Sequence, residues 1–119
     1  MATLTQGAAP NVVSANIYDE RGPTILSLAL SPSAVSANTT AEQTFTATGV
    51  AVGDVVVCIN KPTAQAGLGI VGFRVTAANT IGITFSNNTA AGITPTAAET
   101  YLVGVYRPAY NAAKTSFEG

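Results

Sequence analysis

Along the middle of the chain, apolar and polar residues alternate with a period of two. In "QTFTATG", Phe45 and Ala47 alternate with Thr44, Thr46 and Thr48; in "VGFRVTA", Val71, Phe73 and Val75 oppose Arg74 and Thr76. "TIGITFS" sets Ile81, Ile83 and Phe85 against Gly82, Thr84 and Ser86. "YLVGVYRP" sets Tyr101, Val103 and Val105 against Leu102, Gly104 and Tyr106. A two-residue period sends alternate side chains to opposite faces of a strand, so each stretch predicts a strand with one buried face. Val71, Phe73, Val75, Ile81, Ile83, Phe85, Val103 and Val105 are the expected core. "TILSLAL" (24–30) and "DVVVCIN" (54–60) are more continuously apolar, as strands covered on both faces would be. No stretch carries the 3.6-residue period of an amphipathic helix.

Turn signals separate these stretches: "SPS" at 31–33, "GVAVGD" at 49–54, "KPTAQAGLG" at 61–69, "AANT" at 77–80, and a longer loop, "SNNTAAGITPTAAE", at 86–99. Pro and Gly supply the fixed or positive φ that turns need. About six to eight short strands without helices predict an all-β fold, an antiparallel sandwich or small barrel. The strand patterning occupies 24–107. Residues 1–23, rich in Ala, Gly, Pro and Asn, and residues 108–119 lack it, and each is expected to be an extended arm.

The composition qualifies the surface of this fold. The chain has 119 residues, the size of one domain, and only 9% are charged, with a net charge of −1. Ordinary globular domains carry roughly 25% charged residues. Such a surface is either covered by other protein chains or kept soluble by Thr, Ser and Asn. There is no basic field for nucleic acid, and no apolar run approaches the roughly 18 residues of a membrane span. The N-terminal sequence has no signal-peptide pattern, and Cys58 is the single cysteine, so a reduced, cytoplasmic site of synthesis is expected.

Candidate chemistry begins with Gly67-Leu68-Gly69-Ile70-Val71-Gly72, which matches the G-x-G-x-x-G dinucleotide pattern. That motif needs a strand before it, a helix after it and an acid about 20 residues on. A Pro62-containing turn precedes it here, a strand pattern follows, and no acid occurs before Glu99. The glycines are therefore expected to serve backbone geometry. The chain has no histidine, which removes Ser-His and Cys-His pairs. Cys58, in "VVVCIN", reads as a buried, reduced thiol, and Asp54, after Gly53, as a turn cap. The acids are scattered, and neither a zinc set nor a calcium loop is present. No catalytic, cofactor or metal residue is assigned, and no cofactor is expected. What remains is a protein-binding surface, with Val12, Val13, Ile17, Tyr18, Tyr106, Tyr110 and Phe117 as candidate interface anchors.

From about Leu28 to Pro108, above all in "TTAEQTFTATGVAVGDVVVCINKP", "AGLGIVGFRVTAANTIGITFSNNTA" and "ITPTAAETY", the chain resembles a family of small virion structural proteins of tailed bacteriophages, of the head decoration, or cement, type. The resemblance implies a jelly-roll-like β-sandwich, no enzymatic residues, and a dimer or trimer on the capsid exterior that clamps neighbouring major capsid subunits. The expected partners are thus the major capsid protein and further copies of the chain, with no nucleic acid and no membrane. Rival readings are a tail, neck or head-fibre base module, or a carbohydrate-binding module, which would need an exposed row of aromatics.

Overall fold

A computed structural model describes residues 23–108. Apart from Pro23 and Pro108, the two expected arms lie outside the described residues. The described residues form six strands and no helix: β1 (Thr24–Leu30), β2 (Thr39–Thr46), β3 (Val55–Asn60), β4 (Leu68–Ala77), β5 (Thr80–Asn87) and β6 (Glu99–Tyr106). They make two three-stranded antiparallel sheets, ordered β1-β6-β3 and β2-β5-β4. The first strand pairs with the sixth and the second with the fifth.

One hydrophobic core lies between the sheets. The central strands supply most of its fully buried side chains: Ile81, Ile83 and Phe85 from β5, and Tyr101 and Val103 from β6, with Val105 close behind; Val35 and Ala47 of the loops complete the set. Leu26, Leu28 and Leu30 of β1, Val56 and Ile59 of β3, Phe45 of β2, and Leu68, Ile70 and Val75 of β4 pack against them. Burial removes apolar surface from water at a gain of about 1.5–3 kcal/mol per large side chain. The alternation in the sequence is therefore realised directly on β5 and β6.

The edge strands depart from it. Ile70 and Gly72 pair with Phe85 and Thr84, which are adjacent on β5, so Val71 is an inserted residue. Such a bulge resets the alternation. Ile70 and Val75 face the core, while Val71 is turned out and 63% exposed, contrary to its expected burial. Phe73 shares a face with Ile83, yet on an edge strand nothing covers its outer side, and it is exposed as well. On β3 the same event corrects the reading of Cys58. Val56 pairs with Val105 and Cys58 with Gly104, leaving Val57 inserted. Strict alternation after the buried Val56 would put Cys58 inside; the extra residue places the free thiol on the outer, exposed face.

Side chains tie the turns to the sheets. Asn87, buried at the end of β5, donates through Nδ2 to the carbonyls of Val35 (3.0 Å) and Ala91 (2.8 Å) and accepts through Oδ1 from the Thr89 amide and hydroxyl. All its bonding capacity inside the loop is used. In the β4–β5 hairpin, Asn79 sits at φ 60° and its Oδ1 accepts from the Gly49 amide at 2.8 Å. Asp54 caps its turn as expected, Oδ2 accepting from the Ala51 amide at 2.9 Å. Gly67 has φ 82°, and a Cβ there would collide with the Thr89 methyl; β4 begins at the next residue, so Gly69 and Gly72 lie inside a strand.

Tyr101 is the misfit of the core. Its hydroxyl is buried without a hydrogen-bond partner, and burial, followed by the nearby Glu99 charge, pushes its pKa up to about 12. An unpaired buried hydroxyl costs stability, and its removal at constant shape does not. Tyr101→Phe is therefore expected to leave the thermal midpoint unchanged or to stabilise by up to about 1 kcal/mol; a loss of stability on thermal unfolding would reveal a partner for the hydroxyl.

Candidate protein-binding surface

The outer faces of the two sheets differ in chemistry. On β2-β5-β4 the outward positions are Thr40, Glu42, Thr44 and Thr46, then Thr80, Gly82, Thr84 and Ser86, then Gly69, Gly72 and Arg74. Hydroxyls and glycines cover most of this face, the inserted Val71 stands out at its β4 edge, and one ion pair crosses it. Arg74 donates from Nε to Glu42 Oε2 at 2.8 Å and from Nη2 to Oε1 at 2.9 Å. The pair spans Gly82, where a Cβ would collide with the carboxylate. The Arg74 hydrogen bonds hold the Glu42 carboxyl below its usual pKa. Exposed pairs of this kind add little stability.

On β1-β6-β3 the outward positions are uncharged and, toward the Tyr106 end, mainly apolar. Tyr106 stands opposite Val55; Ile25, Gly104 and Cys58 form the next row; Ser27, Leu102 and Asn60 form the one beyond. Ile25 is 55% and Val55 47% exposed, and Val57, Leu102 and Tyr106 are exposed with them. Gly104 makes the rows fit together. A Cβ there would lie 2.7 Å from Cys58 Sγ and 3.2 Å from Val57 Cγ2, so only glycine lets these side chains lean over the central strand. No charged side chain occupies an outward position on this sheet. A contiguous apolar patch rimmed by polar residues is the usual mark of a protein-binding site.

The other two ion pairs sit at the ends of the sheets. Asp54 is buried and takes Arg107 in a two-pronged contact, Nε to Oδ1 at 2.7 Å and Nη2 to Oδ2 at 2.8 Å, while Arg107 also reaches the Gly49 carbonyl. Hydrogen bonding from Arg107 holds the Asp54 pKa down. These residues border a cleft of about 280 Å³ with Thr24, Leu26 and Val105. Lys61 lies beside a smaller hollow of about 190 Å³. Its ammonium donates to the Thr63 carbonyl and to Gln65 Oε1 at 2.9 Å, and forms an ion pair with Glu99 at 3.3 Å. Neither hollow offers a free charged group. Among the described residues no three His, Cys, Asp or Glu side chains come together.

Of the expected interface residues, Tyr106 lies on the apolar face; Val12, Val13, Ile17, Tyr18, Tyr110 and Phe117 lie outside the described residues. Ile25, Val55, Val57, Cys58 and Leu102 escaped the sequence reading. Two signals pointed to them. "TILSLAL" and "DVVVCIN" are apolar on both faces, and Gly104 interrupts a strand, which marks a close approach of neighbours.

Two outcomes follow. Cys58 in the native, isolated chain is expected to react fully with a thiol reagent without denaturant, and protection would place a cover over this face. Asp54→Asn should destabilise by about 1–3 kcal/mol, the worth of a charge-assisted hydrogen bond. Because the folded-state pKa of Asp54 is lowered, its contribution is complete above the unfolded carboxylate value of about 3.9 and is lost as pH falls through the folded value. The acid side of a stability–pH curve should therefore be shallower in the variant, and parallel curves would count against the pair. Neither a protein-family model, nor a curated protein, nor a solved structure matches the chain.

Proposed function

We propose that the protein is a non-enzymatic decoration protein of a tailed-bacteriophage capsid, which binds the outside of the head, associates with its own copies and bridges major capsid subunits. The observation that carries this reading is the uncharged, apolar outer face of the β1-β6-β3 sheet. A face of this kind gains by burial against protein and offers nothing to nucleic acid, whose affinity rests on cationic side chains. The resemblance of residues 28–108 to phage head proteins supports the capsid as its destination. The nested pairing of first with sixth and second with fifth strand supports a jelly-roll-like sandwich, since rolling up a long antiparallel ribbon produces such pairing. The carbohydrate-binding alternative lacks its stacking row: Tyr106 is the one aromatic at an outward position on this sheet.

Copy number in purified particles tests the proposal. Quantitative mass spectrometry against the major capsid protein is expected to give hundreds of copies per virion. About a dozen or fewer would assign the chain to the tail or neck, and absence from particles would overturn a virion role.

A further inference from the structure

Four strands stand at sheet edges: β1 and β3 in one sheet, β2 and β4 in the other. An edge exposes a row of backbone N–H and C=O groups ready to pair with another chain, and proteins blunt such edges with charges, prolines or bulges. Three of the four are blunted here. β2 carries Glu42 near its middle. β3 is broken by the inserted Val57, and β4 by insertions at Val71 and Thr76 together with Arg74. β1 has no such device. Thr24–Leu30 contains no charge and no proline, and its register against β6 runs unbroken from Thr24↔Val105 to Leu30↔Glu99. Pro23 and Pro32 stand outside the strand and limit its length. Among the described residues no strand pairs with its outer side.

We propose that the β1 edge pairs with β1 of a second copy of this chain, antiparallel and about a two-fold axis at Ser27, so that two three-stranded sheets become one sheet of six. The proposal specifies the self-association within the capsid reading and rests on that reading to that extent. Self-pairing requires a strand to tolerate its own side chains. Centred on Ser27, the pairing sets Ile25 against Ala29, Thr24 against Leu30 and Leu26 against Leu28. The large outward Ile25 thus meets the small Ala29, Ser27 meets Ser27, and no like charges oppose each other. Assembly also closes. A two-fold contact uses both β1 edges and leaves only the two β3 edges, each interrupted at Val57, so growth stops at the dimer. A trimer would have to join β1 to one of the blunted edges. Pairing brings the Ile25 side chains of both copies near the joint, and the two apolar faces become one continuous surface.

The test is sedimentation equilibrium of the full chain and two variants over a dilution series, with circular dichroism to verify folding. The native chain should be a dimer. Ser27→Lys, at an exposed position, sets two lysines opposite each other and should raise the dimer dissociation constant by about tenfold or more, whereas Thr44→Lys on the β2 edge should leave it unchanged. A native chain that is monomeric or trimeric, or equal effects of the two lysines, would overturn the proposal. A monomer whose β1 amides all resist hydrogen exchange would do the same, because the edge would then be covered from within the chain. These readouts need no capsid, so a failure here is separable from failure of the copy-number test.

Discussion

The mutual burial of two central strands holds this domain together. β5 and β6 each present a row of inward side chains, Ile81, Ile83 and Phe85 facing Tyr101, Val103 and Val105, and each strand forms hydrogen bonds with two neighbours. The four edge strands are anchored to this pair. Each fully buried side chain contributes about 1.5–3 kcal/mol against a net stability of about 5–15 kcal/mol for a whole domain. Any change that tilts either row is therefore felt throughout. The loops depend on the same pair, since Asn87 at the end of β5 and Asp54 beside the end of β6 gather the connections at opposite ends.

Charge is arranged in pairs, one across the β2-β5-β4 face and two at the ends of the sheets. The six charged side chains of the described residues form three ion pairs: Lys61 with Glu99, Arg74 with Glu42, and Arg107 with Asp54. No charge is left over for steering toward an oppositely charged partner, so recognition by this part of the chain has to rely on shape and apolar area. Such binding depends on burial and is only weakly sensitive to salt, in contrast to binding through exposed charges.

The fold class and the rows on β5 and β6 were legible because both strands run without interruption, so a period of two in the sequence becomes a period of two in space. The errors lie at insertions. Nothing in "VVVCIN" or "GIVGFRV" marks which residue is the extra one, because the insertion is decided by the partner strand: Gly104 opposite Cys58, Thr84 opposite Gly72. Hence Cys58 and Val71, both expected to be buried, lie exposed, and Phe73 is exposed with them at the sheet edge. The ion pairs were illegible for another reason. Their members are far apart in the sequence, 32 positions for Arg74 and Glu42 and 53 for Arg107 and Asp54, and only the sheet order brings them together. The apolar face was half-legible: two strands read as covered on both sides, but the sequence did not show that the outer cover would be missing from the described residues.

The contrast between the two outer faces connects the sparse charge of the chain to its use. A chain with 9% charged residues has little charge with which to hold water. The hydroxyls of Thr40, Thr44, Thr46, Thr80, Thr84 and Ser86 bind water without the strong hydration of full charges, and they occupy the sheet that presents no large apolar face. The other sheet keeps Ile25, Leu102, Val55 and Tyr106 toward solvent, at the cost of exposing apolar surface to water. A domain with one wet and one adhesive face can dock in only one orientation.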